Sequence, residues 1–294
     1  MKQRFRIKSI FCYLIFCCGL LCLTTSSADT FEVKHKVFYT DVGSGSPLVL
    51  IHPFPMDQRF FKPQQDELKK YFRVISIDLW GFGRSAAVHG QGISMHEYAN
   101  EVNQLFEHLH LKNALVAGES MGGYVALAFY KYYPEKVAGL ILSGTNSTAD
   151  NEVKKRKRQT DAESVMKHGS VQLIDGLLPK LLSAHASKNM QDELKQIMQS
   201  QSPAGLSSAL IGIGQREDTS YLLSNARIPI LIISGDQDAI ISPDHSEAMH
   251  RLAKGSKFVM IKNTGHLSSF EQPKQWNQAV IEAFKMTTPE TSTN

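Results

Sequence analysis

The chain reads as an α/β protein built on a doubly wound, mostly parallel sheet, and two patterns along its 294 residues predict this. Short apolar runs recur, each bounded by polar or glycine-rich segments: Leu48-Val49-Leu50-Ile51, Val74-Ile75-Ser76-Ile77, Ala114-Leu115-Val116-Ala117, Leu140-Ile141-Leu142, Ile230-Leu231-Ile232-Ile233 and Phe258-Val259-Met260-Ile261. Runs of this length without polar alternation suit strands covered on both faces. Between them lie segments whose apolar residues fall three and four apart, the helical period. Strand and helix in alternation give a parallel sheet flanked by helices.

Residues 31–42 alternate instead, with Val33, Val37, Tyr39 and Val42 among polar neighbours, and predict a strand or short hairpin. Gly43-Ser44-Gly45-Ser46-Pro47 closes it with a turn. Residues 95–109 place Tyr98, Val102, Leu105, Phe106 and Leu109 along one helix face. Residues 121–133 form a second helix, ended by Pro134, and residues 245–252 and 275–284 form two more. The alternation breaks once. Residues 146–225 carry helical patterns without a convincing strand: 173–182 is strongly apolar, 191–198 amphipathic and 206–213 apolar again. This predicts a helical lid inserted after the sixth strand, able to roof a site at the strand ends; a surface excursion without a role is the alternative. The basic run Lys154-Lys155-Arg156-Lys157-Arg158 opens it, either as a solvated helix face or as an attraction for anionic lipid or an acidic substrate. The expected division is a core over 29–145 and 226–286, the lid over 146–225, and a disordered polar tail over 287–294.

The first 28 residues read as an export signal. Lys2, Arg4, Arg6 and Lys8 make a basic start, residues 10–23 are apolar and uncharged, and Ser26 and Ala28 are the small residues a signal peptidase reads. A cut after Ala28 is expected, with a periplasmic or secreted product. An uncleaved membrane anchor is the alternative, although a spanning helix needs about 20 apolar residues. Cys22 follows Leu21, where a lipoprotein would carry a small residue. All four cysteines, Cys12, Cys17, Cys18 and Cys22, fall inside this segment. Beyond it no disulfide framework, metal-thiolate site or cysteine nucleophile is available. The segment also holds four of the 32 Lys+Arg and none of the 28 Asp+Glu, so the remainder is balanced and offers no argument for nucleic acid. About 266 residues remain, enough for one large α/β domain.

The chemistry is carried by Gly118-Glu119-Ser120-Met121-Gly122, between the run ending at Ala117 and a helical segment. Strand, G-x-S-x-G and helix are the context of a nucleophile elbow, whose tight turn demands small flanking residues. A serine hydroxyl needs a base, and the base an orienting carboxylate. Gly235-Asp236-Gln237-Asp238 follows one apolar run and Gly265-His266 another. Strand ends of this kind are where open α/β sheets build sites. His108 and His110 lie on different helix faces without a carboxylate at ligand spacing, so no metal site is expected there. Gly81 and Gly83 lack the third glycine and the lysine of a phosphate cradle, so no nucleotide cofactor is expected.

These motifs resemble the α/β-hydrolase fold superfamily from about Phe31 to Phe284. His52-Pro53-Phe54-Pro55 is similar to its oxyanion loop, usually His-Gly-x-Pro. Asp78-Leu79-Trp80-Gly81-Phe82-Gly83-Arg84-Ser85 is similar to its D-x-x-G-x-G-x-S segment, Gly235-Asp236-Gln237-Asp238 to its acid loop, and Asn263-Thr264-Gly265-His266 to its histidine loop. The resemblance implies Ser120 as nucleophile, His266 as base, and Asp238 as orienter, with Asp236 the competing acid. It implies the backbone N–H groups of Phe54 and Met121 as oxyanion donors. Pro53 replaces the usual glycine and has no N–H, which excludes any donor at that position. His52 is expected to brace its loop, with a substrate contact as the alternative, and Asp78 to brace another loop.

A serine at the elbow implies an acyl-enzyme. It disfavours epoxide hydrolases and haloalkane dehalogenases, which place aspartate there. The Ser-Met-Gly-Gly elbow and short lid resemble small-molecule carboxylesterases and the enol-lactonase-like group. The implied function is cleavage of a small carboxylic ester, lactone or thioester without a cofactor or metal, the partner being a small acyl substrate. Trp80, Leu177 and Leu181 are candidate substrate contacts; Leu177, Leu178, Leu181 and Leu182 either line the roof of an acyl pocket or pack the lid onto the core. Acyl transfer, perhydrolysis or a lyase reaction on the same triad is one alternative. A ligand-binding member of the fold without turnover is another.

Overall fold

A computed structural model describes residues 27–32 and 35–284 of the chain. The expected export signal lies outside the described residues except at Ser27 and Ala28, and the expected tail lies outside them altogether. Eight strands are present among these residues: β1 Ser27–Glu32, β2 Lys36–Gly43, β3 Pro47–Ile51, β4 Arg73–Asp78, β5 Ala114–Glu119, β6 Val137–Ser143, β7 Ile230–Gly235 and β8 Lys257–Ile261. They form one sheet in the order β1-β2-β4-β3-β5-β6-β7-β8. β2 pairs antiparallel with β1 and with β4, and the other neighbours run parallel. The alternating segment is thus the antiparallel hairpin β1–β2, and the continuous apolar runs are the parallel strands. The expected cut after Ala28 falls within β1.

The period of two in each strand sorts its side chains between two cores. Val49, Ile51, Val116, Leu140, Leu142, Ile230 and Ile232 join one cluster. Leu48, Leu50, Leu115, Ala117, Ile141, Leu231 and Ile233 join the other. The first is covered by α2 Met95–His108, α3 Met121–Tyr132 and α9 Pro243–Leu252, and the second by α1 Lys62–Leu68, the short α10 Ser268–Glu271 and α11 Pro273–Phe284. A strand buried on both faces has no position for an exposed polar residue, which is why these runs do not alternate. Helix α2 starts where its sequence directs. Ser94 caps the Glu97 amide, and the Glu97 carboxylate returns to the Ser94 amide at 2.8 Å.

Between β6 and β7 lie α4 Glu152–His168, α5 Val171–Leu181, α6 Lys188–Gln199, α7 Pro203–Gly214 and α8 Ser220–Asn225. Periodicity does not reveal α4, which buries only Ala162 and Val165. It is held by the Asn151 cap, by pairs such as Lys157–Asp161 at 2.7 Å, and by packing along α7. Helix α7 is the reverse case, buried over nearly its whole circumference, and so reads as a plain apolar run.

Candidate active site

Strand β5 ends at Glu119 and α3 begins at Met121, so Ser120 is the whole of the connection. Its φ of 53° and ψ of −116° are unfavourable for a side-chain-bearing residue. The surroundings hold it there. The Ser120 amide donates to Ser143 O at 2.9 Å, and its carbonyl accepts from Gly123 N at 2.9 Å and Thr145 Oγ1 at 2.8 Å. A Cβ on Gly118 would stand 2.1 Å from Gly122 O, and one on Gly122 would stand 2.0 Å from Ile51 O. The two glycines of the motif are therefore steric requirements of the turn.

His266 comes from the loop after β8 and Asp238 from the loop after β7. His266 Nε2 lies 2.8 Å from Ser120 Oγ, and Nδ1 lies 2.8 Å from Asp238 Oδ2. A carboxylate only accepts, so Nδ1 carries the proton and Nε2 is left to accept from the serine. Asp238 Oδ1 is occupied by the amides of Ile240 and Ile241, both at 2.8 Å, which fixes the carboxylate plane. Asp236 accepts instead from Thr264 N at 3.3 Å and faces Lys262 at 3.7 Å. Of the two acids the sequence offers, Asp238 is the one that meets the imidazole.

A cavity of about 540 Å³ opens over this chain of hydrogen bonds and is bordered by Ser120, His266, Phe54 and Met121. Met121 is the first residue of α3, so its N–H has no acceptor within the helix. The Phe54 N–H likewise has no acceptor among the described residues. His52 stands behind this loop, fully buried and away from the cavity. Its Nε2 accepts from Leu79 N at 3.1 Å, so its Nδ1–H donates to Pro53 O at 3.0 Å. Burial pushes its pKa down to about 4, and the ring is a neutral brace. Asp78 accepts from the amides of Gln58 and Arg84, both at 2.8 Å, while burial pushes its pKa up to about 7.

Leu177 and Leu181 border the cavity, together with Leu173, Leu210 and Ile213. Leu182 does not border it and belongs to a core cluster, which Leu181 also joins and against which Leu177 and Leu178 pack. Trp80 requires a correction, because it does not border the cavity. Its ring stacks on His35 at 4.3 Å and its backbone amide donates to Glu101 at 2.9 Å.

Two buried carboxyl groups near the site went unnoticed in the sequence. Glu119 is fully buried behind the nucleophile, where Ser269 donates to it from both Oγ and N. Burial pushes its pKa up to about 7, against the Ser269 hydrogen bond. A lone charged residue ending an apolar strand was the available signal. Glu271 accepts from Gly265 N at 2.9 Å and from Ser183 N at 3.0 Å, joining the histidine loop to the segment between α5 and α6. Nothing local marks that role.

A family model for the α/β-hydrolase fold matches residues 46–273. An AB hydrolase superfamily protein, YisY of Bacillus subtilis (strain 168), is 29% identical over 267 residues, covering 85% of this chain and 96% of that protein. The structure of a thermophilic esterase from Thermogutta terrifontis superposes with a TM-score of 0.83 at 34% identity, covering 88% of this chain and 97% of that one. An enol-lactonase from Burkholderia xenovorans LB400 shares the fold, with a TM-score of 0.79 at 21% identity over 86% of this chain and 98% of that one. With its strand order, its elbow and these relatives together, the chain belongs to the α/β-hydrolase fold family.

Proposed function

We propose that the protein is an exported serine hydrolase that cleaves a small carboxylic ester, lactone or thioester through an acyl-enzyme. The observation that carries this reading is the unbroken hydrogen-bonded series Ser120–His266–Asp238, with its serine at the cavity wall. In this mechanism Ser120 Oγ attacks the acyl carbon while His266 Nε2 takes the hydroxyl proton. The carbonyl oxygen becomes an oxyanion, held by the N–H groups of Phe54 and Met121. One such donor is worth about a hundred- to a thousandfold in rate. The imidazolium returns its proton to the leaving oxygen or sulfur as the carbon–heteroatom bond breaks. Water, deprotonated by the same nitrogen, then releases the acid and restores Ser120. Export rests on the basic, apolar and small-residue order of residues 1–28. No helix among the described residues is long and apolar enough to cross a membrane.

The test is intact-mass analysis before and after a fluorophosphonate probe, alongside turnover of a p-nitrophenyl ester series. A single adduct on Ser120 is expected, lost in Ser120→Ala together with all turnover. Near-normal turnover by Ser120→Ala removes the nucleophile assignment. For export, the protein recovered from a native host is expected to begin at Asp29; an intact start at Met1 in the cytosolic fraction refutes it.

A further inference from the structure

We propose that the cavity bordered by the nucleophile also holds a carboxylate subsite, so that the preferred substrates are esters, thioesters or lactones with a free carboxylate on the acyl side. This rests on the hydrolase reading and deepens it. Arg216, at the end of α7, and Arg158, on α4, both border the cavity. Both point their guanidinium groups at one carboxylate, Asp150: Arg216 reaches Oδ1 at 2.9 Å, and Arg158 pairs with Oδ2. Burial alone would raise the Asp150 pKa, but the hydrogen bonds from Arg216 and Arg158 hold it below the usual range, so it stays ionised. Two guanidiniums on one carboxylate leave one positive charge over. Arg216 is only 8% exposed. Arg158 is partly exposed, so the group as a whole presents a net positive charge to the cavity.

A second observation is an unsatisfied donor on the same guanidinium. Arg216 Nε is buried and has no hydrogen-bond partner among the described residues, whereas its other nitrogens serve Asp150 and Ile213 O. The guanidinium is also stacked 4.2 Å over the Tyr124 ring, which borders the cavity, so its position beside the cavity is fixed. Lys154 and Lys180 add charge at the rim. Both border the cavity and neither makes an ion pair among the described residues, while the Lys157 beside them is committed to Asp161. The basic run of α4 is therefore divided: Lys154, Lys157 and Arg158 border this cavity, and Lys155 and Arg156 do not. Leu173, Leu177, Leu181 and Leu210 give the same cavity an apolar lining for the rest of the substrate. The chemistry recognised is an acyl chain with a reactive carbonyl at one end and a carboxylate at the other.

The experiment compares kcat/KM for the monoethyl esters of succinic, glutaric and adipic acids with that for the corresponding ethyl esters ending in a primary amide. The amide keeps the shape and removes the charge. The wild-type protein is expected to favour the acid by tenfold or more at its best chain length. That ratio is expected to fall at least fivefold in Arg216→Gln and in the surface double variant Lys154→Gln/Lys180→Gln, which keeps the test alive if Arg216→Gln fails to fold. Equal rates for acid and amide, or a ratio unmoved in both variants, overturn the subsite and leave the hydrolase standing. If no ester turns over and the fluorophosphonate gives no adduct, the hydrolase reading fails, and calorimetric titration with adipate decides the subsite alone. Saturable binding weakened by the same substitutions supports it, and no binding overturns it.

Discussion

The two sides of the cavity are built on opposite terms. On the core side every group of the site sits within a few residues of the end of a parallel strand, and the sheet dictates its position: Ser120 after β5, Asp238 after β7, His266 after β8 and Phe54 after β3. On the other side, α4 buries two of its residues and α5 only Ile174 and Leu181, and the two most exposed large apolar side chains, Val153 and Val171, lie on these helices. Few buried contacts mean that little stability depends on the identity of a surface residue there. The difference teaches where change is tolerated. The reacting groups belong to the part that cannot move without losing the sheet. The groups proposed to sort substrates belong to the part that can vary. Glu271 is the joint, because one carboxylate holds both the histidine loop and Ser183 of the insertion.

The largest expected effect is on the core side. Asp238→Asn keeps the shape but presents an amide to the imidazole and favours the wrong tautomer, at a cost of about 10⁴ in kcat. Asp236→Asn is expected to cost less than about threefold, since Asp236 only ties Thr264 and Lys262. Steady-state kinetics on one activated ester ranks them, and the reverse order transfers the orienting role to Asp236.

A smaller effect probes how firmly the core side is braced. His52 is neutral in the fold, with its pKa down at about 4 rather than 6.5, because it is buried. The unfolded chain therefore binds the extra proton first. Stability from this group is full above about pH 6.5 and is lost as pH falls towards about 4, amounting to about 3 kcal/mol. Urea unfolding of wild type and His52→Gln from pH 7.5 to 4 is expected to show the wild-type advantage shrinking over that window. Parallel curves rule out the neutral brace.

The smallest effect falls on the insertion. Leu177→Ala is expected to lower kcat/KM for hexanoyl relative to acetyl p-nitrophenyl esters by roughly tenfold, the scale of a lost apolar contact in a pocket. If the acetyl ester suffers equally, the helices do not sort substrates and the contrast between the two sides fails.

Much of this was legible residue by residue. The apolar runs at 48–51, 114–117 and 230–233 marked strands because burial on two faces forbids alternation. Gly118 and Gly122 marked the elbow because the turn has no room for a Cβ. Helix α4 was not legible as an amphipathic element, since its support comes from a cap, ion pairs and α7 rather than from an apolar stripe. The partner of the Trp80 ring, His35, lies far away in the chain, and no local pattern announces that contact.

What the sequence determined by itself is whatever depends on neighbours a few residues apart: the strand–helix alternation, the capping box at Ser94 and the backbone demands of the elbow. Those are set by sterics and local hydrogen bonds, which the chain carries wherever it goes. Only the tertiary structure decided between Asp236 and Asp238, stacked Trp80 on His35, seated Glu271 between two loops and set Arg158 and Arg216 on one carboxylate. Those outcomes depend on distances that exist only once the sheet has closed residues 120, 238 and 266 onto one another, because a contact across so much chain is fixed by the packing of the whole and not by either residue's neighbours.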